Sequence, residues 1–88
     1  MAVYDAPQSG IVEIDVHGLT KQQAKACIEQ KIKNAAKSTY RIRVIHGFHG
    51  GTELRNMIRN DFKKHPKVKR IELGLNPGET DLVIRELF

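Results

Sequence analysis

Two stretches of the chain alternate apolar and polar residues with period two, and each runs into a stretch whose apolar residues recur every three or four positions. Ile11 to Val16 sets Val12, Ile14 and Val16 on one face against Glu13 and Asp15 on the other, the pattern of a half-buried strand. His17, Gly18 and Leu19 turn the chain. Thr20 followed by Gln23 is a capping-box pair, in which the threonine oxygen accepts an orphan N–H of the first turn and the glutamine reaches back. A helix is predicted from there to about Ala36, with Ala24, Cys27, Ile28, Ile32 and Ala35 inward. Tyr40 to Ile45 repeats the strand pattern, with Tyr40, Ile42 and Val44 against Arg41 and Arg43. After the loop His46 to Gly51 a second helix is predicted over Thr52 to Lys64. Its inward stripe is Leu54, Met57, Ile58 and Phe62, and Pro66 lies just past its end. Val68 to Leu75 and Leu82 to Leu87 are predicted strands. Asn76-Pro77-Gly78-Glu79-Thr80 between them has the composition of a hairpin loop.

The order β-α-β-α-β-β predicts a two-layer α/β sandwich: a four-stranded mixed sheet with two helices on one face. Strand-helix-strand crossovers are right-handed. If both join parallel neighbours, both helices cover the same side and the last two strands form an antiparallel pair. The other sheet face is then open and carries Glu13, Asp15, Arg41, Arg43, Arg70 and Glu72. The 88 residues suit one domain, and 40% hydrophobic with 28% charged residues is a globular composition. Residues 1–10 are expected as a loose leader and residues 11–88 as the folded unit.

Net charge is +5, from 15 Lys and Arg against 10 Asp and Glu. That balance suits nucleic acid or another polyanion, or else a lysine-rich surface that keeps the protein soluble. A lone cysteine, Cys27, forms no internal disulfide and is expected as a small buried hydrophobe. The first ten residues lack the apolar segment of a signal peptide, and no apolar run is long enough to span a membrane. A cytoplasmic setting and no membrane partner are therefore expected.

Three loops could carry chemistry: His17-Gly18, His46 to Gly51, and Asn76 to Thr80. With the first three strands parallel they emerge at one edge, at the strand C-terminal ends where open α/β sheets bind ligands. Both helix N-termini face that edge. The glycines Gly47, Gly50 and Gly51 are either a phosphate cradle or a turn that needs positive φ. Asp15, His17 and His46 are candidate catalytic residues, because a carboxylate can orient a histidine that transfers protons near neutral pH. They are expected within about 10 Å of one another, in a solvent-accessible cleft, with His46 as general base or acid. Phe48 at the loop tip is a base-stacking platform or a cover for the core. Arg55 and Arg59 lie one helical turn apart with Lys63 extending the row, a spacing that suits a phosphate backbone. Asp15, His17, His46 and His49 match no specific metal-ligand spacing, so no cofactor is expected, although a divalent ion such as magnesium is compatible. His65, at the far end of the second helix, is expected to be solvated.

Three short signatures occur in order. They are Ile14-Asp15-Val16-His17-Gly18; Val44-Ile45-His46-Gly47 through Gly51 with Leu54-Arg55; and Gly78-Glu79-Thr80 before Leu82-Val83-Ile84. Together they resemble the Smr (small MutS-related) domain family over roughly residues 11 to 87. The resemblance implies a fold similar to the C-terminal domain of bacterial translation initiation factor three, nucleic-acid binding to DNA or RNA, and in many members endonuclease activity. It maps the implicated positions onto Asp15, His17 and His46. Gly18, Gly47, Phe48, His49, Gly50, Gly51, Arg55, Arg59, Gly78 and Thr80, from the three loops and the arginine row, are the candidate nucleic-acid-binding residues. Active members usually have His-Gly-x-Gly in the second signature, whereas Phe48-His49 shifts that register here. Glu79 puts negative charge beside the third. A module that binds nucleic acid or protein without cleaving is the alternative.

Overall fold

The computed structural model describes residues 10–47, 52–73 and 76–86. Strand β1 (Ile11–Asp15) leads through Val16 to Leu19 into helix α1 (Lys21–Lys33). The Thr20 and Gln23 capping box is formed in full, with both side-chain bonds at 3.1 Å. Helix α1 stops three residues before the expected Ala36, where the Asn34 N–H closes the last turn on the Gln30 carbonyl. Strand β2 (Arg41–Ile45) and helix α2 (Thr52–Lys63) follow, then β3 (Arg70–Leu73) and β4 (Glu79–Val83).

The sheet order is β1-β2-β4-β3. Strands β1 and β2 pair in parallel, and β4 is antiparallel to both β2 and β3. The second crossover therefore does not join neighbours, because β4 inserts between β2 and β3. Both helices still cover one face. Ala24, Ile28 and Ile32 of α1 and Leu54, Ile58 and Phe62 of α2 join Ile42, Val44 and Leu82 of the sheet in one core.

Strand β4 lies three residues earlier than the predicted Leu82 to Leu87. The Asn76 side chain accepts the Gly78 N–H at 2.9 Å and its carbonyl accepts the Glu79 N–H at 3.0 Å, so the turn closes early and pairing starts at Glu79. Glu79, Thr80 and Asp81 look like loop residues by polarity. Inside a central strand each finds a partner instead. Asp81 is 2% exposed and accepts from Arg41 at 2.7 Å and from Arg43 at 3.0 Å. Burial alone would raise its pKa, but the hydrogen bonds from Arg43 and Arg41 outweigh it and hold the carboxylate ionised. Arg41 also pairs with Glu72 at 2.8 Å, and Arg70 pairs with Glu72 and Glu86. Of the charges expected on the open face, Arg41, Arg43, Arg70 and Glu72 form a linked network with Asp81 at its centre.

Two further expectations are corrected. Cys27 is exposed, because it sits at the margin of the α1 stripe and borders an apolar groove between α1 and the edge strand β1. His65 is half-buried and engaged on the surface of the fold. It stacks on Phe62, accepts the Lys67 N–H at 3.0 Å on Nδ1, and donates from Nε2 to Glu29 at 3.1 Å.

Candidate functional site

Strand direction puts the ends of β1 and β2 and the start of β4 at one edge. The pairs His17-Gly18 and His46-Gly47 are there. Gly18 and Gly47 each hold a positive φ, +82° and +91°, which glycine adopts without the Cβ penalty. The two histidines are nevertheless not equivalent. Asp15 pairs with Ile45, and the Val16 N–H reaches the Ile45 carbonyl at 2.9 Å, so the register sets Val16, not His17, beside His46. Side chains alternate along a strand, and an offset of one residue reverses the face. His46 therefore points inward, in line with Val44, and is 2% exposed. His17 points outward with Asp15, and its side chain is 68% exposed.

The outward pair is joined. His17 Nδ1 lies 2.6 Å from Asp15 Oδ1, and the His17 backbone N–H donates to the same oxygen at 3.1 Å. An ionised carboxylate only accepts, so Nδ1 carries the proton and Nε2 faces solvent. The hydrogen bond from the His17 ring, followed by that from its backbone, lowers the Asp15 pKa. A carboxylate-oriented imidazole with a free Nε2 can exchange protons with a bound molecule.

The inward histidine is fully engaged inside the protein. Its Nδ1 lies 3.0 Å from the Gly47 carbonyl, so that nitrogen carries the proton. Nε2 then accepts from the Thr80 hydroxyl at 2.9 Å, and the Thr80 oxygen accepts from Arg59 Nε at 3.1 Å. The chain of donors runs Arg59 to Thr80 to His46 to Gly47. Burial, then the charges of Arg59 and Arg55, lower the His46 pKa and keep the ring neutral. His46 offers no nitrogen to an outside molecule, and its side chain is buried where a solvent-accessible position was expected. Thr80, expected at the binding edge, is 0% exposed and braces the same chain. Gly78 is buried too. Its carbonyl accepts the N–H groups of His46 and Gly47 at 2.9 and 3.1 Å, and a Cβ there would meet the Gly47 backbone at 3.3 Å.

Other predicted positions fall as follows. Gly47 packs under His17, with 3.3 Å between the His17 Cβ and the place a Gly47 Cβ would take. Gly18 is exposed with open space around it. Arg55 and Arg59 are half-buried on α2, and neither has an ion-pair partner among the described residues. Phe48, His49, Gly50 and Gly51 lie outside the described residues. Among the described residues no group of three or more His, Cys, Asp or Glu side chains could hold a metal ion. No described helix is long and apolar enough to cross a membrane. The sequence reading did not single out Asn76, whose side chain sets Gly78 under His46. The Asn-Pro-Gly run was its only signal.

A two-layer α/β domain with an Asp-His pair at the strand ends and two arginines on the helix beside them is the class of protein that this geometry defines. The Smr domain family model matches residues 14–79, and the chain belongs to that family. The chain is similar to the crystal structure of the Smr domain of Thermus thermophilus MutS2. The TM-score is 0.77 at 26% identity, covering 85% of this chain and 99% of that one. No curated protein matches by sequence.

Proposed function

We propose that the chain binds nucleic acid at the loop edge and cleaves a phosphodiester there, with His17 as the catalytic proton-transfer group and Asp15 as its positioning residue. The observation that carries this reading is the exposed Asp15–His17 pair, whose outer nitrogen is free. As water forms its bond to phosphorus, Nε2 takes the water proton. The bond to the leaving oxygen breaks, and the same proton is returned to that oxygen. Arg55 and Arg59 stand near the edge and balance charge on the phosphorane. His46, Thr80 and Gly78 act from below as the frame that holds Gly47 against His17.

A second reading, binding without cleavage, draws support from the burial of His46, the histidine expected to transfer the proton, which leaves His17 as the exposed histidine of this edge among the described residues. One experiment separates the two. Labelled single-stranded RNA, supercoiled DNA and branched DNA are incubated with the protein and with His17→Ala, each with and without magnesium. Cleavage of at least one substrate that is lost in the variant, with binding retained, supports the catalytic reading. Binding without cleavage by the wild type leaves the binding module. Cleavage that survives His17→Ala removes His17 from the mechanism.

A further inference from the structure

The two flanks of α2 differ in charge. Glu53 and Asp61 lie with Asn56 and Asn60 along the groove shared with α1, where Asp61 pairs with Lys25 at 3.5 Å. The other flank carries Arg59, hydrogen-bonded to Thr80 of β4, with Arg55 one turn before and Lys63 one turn after. Helix α2 runs from the candidate site to the opposite edge of the sheet. Its 12 residues span about 18 Å at 1.5 Å per residue.

At that far edge the chain forms a depression of about 290 Å³ lined by Lys33, Lys67, Lys69 and Arg85 with Ile32, Ala35, Pro66 and Ile84. No acidic residue lines it. Arg85 is used locally, donating to the carbonyls of Thr39 and Ala36 at 3.0 and 3.2 Å. The α1 C-terminus accounts for attraction to Lys33 alone. Lys67 and Lys69 come from the α2–β3 connection, and none of the three lysines has an ion-pair partner among the described residues. The open sheet face contrasts with this, since Glu72, Glu79, Asp81 and Glu86 are spent there on Arg41, Arg43 and Arg70. The unbalanced positive charge lies on the helix side and the far edge.

We infer that one nucleic-acid backbone runs from the Asp15–His17 edge along the Arg55, Arg59 and Lys63 flank of α2 and is held at its other end by Lys33, Lys67 and Lys69. The inference rests on the nucleic-acid reading above and adds a path and a minimum length to it. At the 3.4 Å rise of a base-stacked strand, a gap of about 18 Å is about five nucleotide steps. A stacked tetranucleotide therefore reaches only one end of the track, and a dodecanucleotide reaches both.

Fluorescence anisotropy with single-stranded oligonucleotides of 4, 8 and 12 nucleotides tests this. The proteins compared are the wild type, Lys33→Glu/Lys67→Glu/Lys69→Glu, and the control Lys25→Glu/Lys31→Glu/Lys37→Glu, which makes the same change in net charge away from the proposed track. All six positions are exposed, and circular dichroism checks the folds. In the wild type, affinity should step up between 4 and 12 nucleotides. The far-edge variant should lose that step, weakening 12-mer binding about tenfold and flattening the salt slope by about 2, at roughly 0.7 per lost phosphate contact. Its tetranucleotide affinity should change no more than the control's. A far-edge variant that binds the 12-mer like the wild type, or no more weakly than the control, overturns the track while leaving nucleic-acid binding in place. A wild type that binds none of the oligonucleotides overturns both.

Discussion

Among the described residues, two histidine-glycine turns lie at the same sheet edge, and they have opposite fates. At the end of β1, His17 stands in solvent, tethered to Asp15. At the end of β2, His46 is enclosed and tied by both ring nitrogens to Gly47 and Thr80. Chemically similar sequences give one group able to exchange protons and one that serves as a structural post. The difference comes from a single residue of strand register. A histidine at a strand end is a catalyst or a brace according to the face its alternation assigns.

The largest expected effects fall on the outward pair. His17→Ala should lower any cleavage rate by about 10²- to 10⁴-fold, the usual scale of general acid–base catalysis. The melting temperature should stay close to that of the wild type. Asp15→Asn should give a smaller loss, because the amide still sits beside Nδ1 but orients the ring less well. Parallel rate and thermal-melt measurements check both. A His17→Ala protein that cleaves normally breaks the contrast at its exposed end.

The inward histidine should behave in the reverse sense. His46→Ala should cost about 3 kcal/mol of stability, through the cavity and the abandoned partners, so any activity it loses should track unfolding. Thr80→Val should cost about 1–3 kcal/mol, because it removes the hydroxyl that satisfies both His46 and Arg59 in a buried place. Thr80→Ser should recover most of it. Denaturant titrations read these values, and a Thr80→Val protein as stable as the wild type would contradict the donor chain.

The same contrast has a pH signature. The folded His46 pKa is lowered from its ordinary 6.5 by burial and by Arg59 and Arg55. In the unfolded chain the ring takes up a proton below about 6.5, while in the folded chain it stays neutral to lower pH. Its contribution to stability is therefore whole above pH 6.5 and falls as pH drops through 6.5 toward the folded value. Thermal melts from pH 8 to pH 5 should show a steeper acid-side loss for the wild type than for His46→Gln, which cannot titrate. Identical pH profiles would remove the buried neutral histidine from the account.

The smallest effects are expected at the glycines. Gly18→Ala puts a side chain at a φ of +82° in open space and should cost about 1 kcal/mol of backbone strain. Gly47→Ala meets the His17 Cβ at 3.3 Å as well, so it should cost more and disturb the Asp15–His17 pair. Equal costs for the two would show that Gly47 does not seat His17.

Much of the fold can be read in the chain. The strand and helix periodicities of residues 11 to 64, the Thr20 and Gln23 cap, and the final antiparallel pair all follow from local patterns that tertiary packing leaves in place. The three His-Gly and Gly-Thr signatures were enough to point to the family. The pairing of Asp15 with His17 was legible too, since residues two apart on a strand share a face.

What the chain alone did not decide depends on contacts between distant residues. The insertion of β4 between β2 and β3 turned Glu79, Thr80 and Asp81 from an apparent loop into a central strand, because Arg41, Arg43 and Arg59 satisfy them across the sheet and from α2. Cys27 lies outside the core because α1 turns that flank to a groove. The sequence determined that a histidine would end each of the first two strands. The tertiary structure decided that they differ, since only the pairing of β1 with β2 fixes Val16 beside His46 and leaves His17 outside.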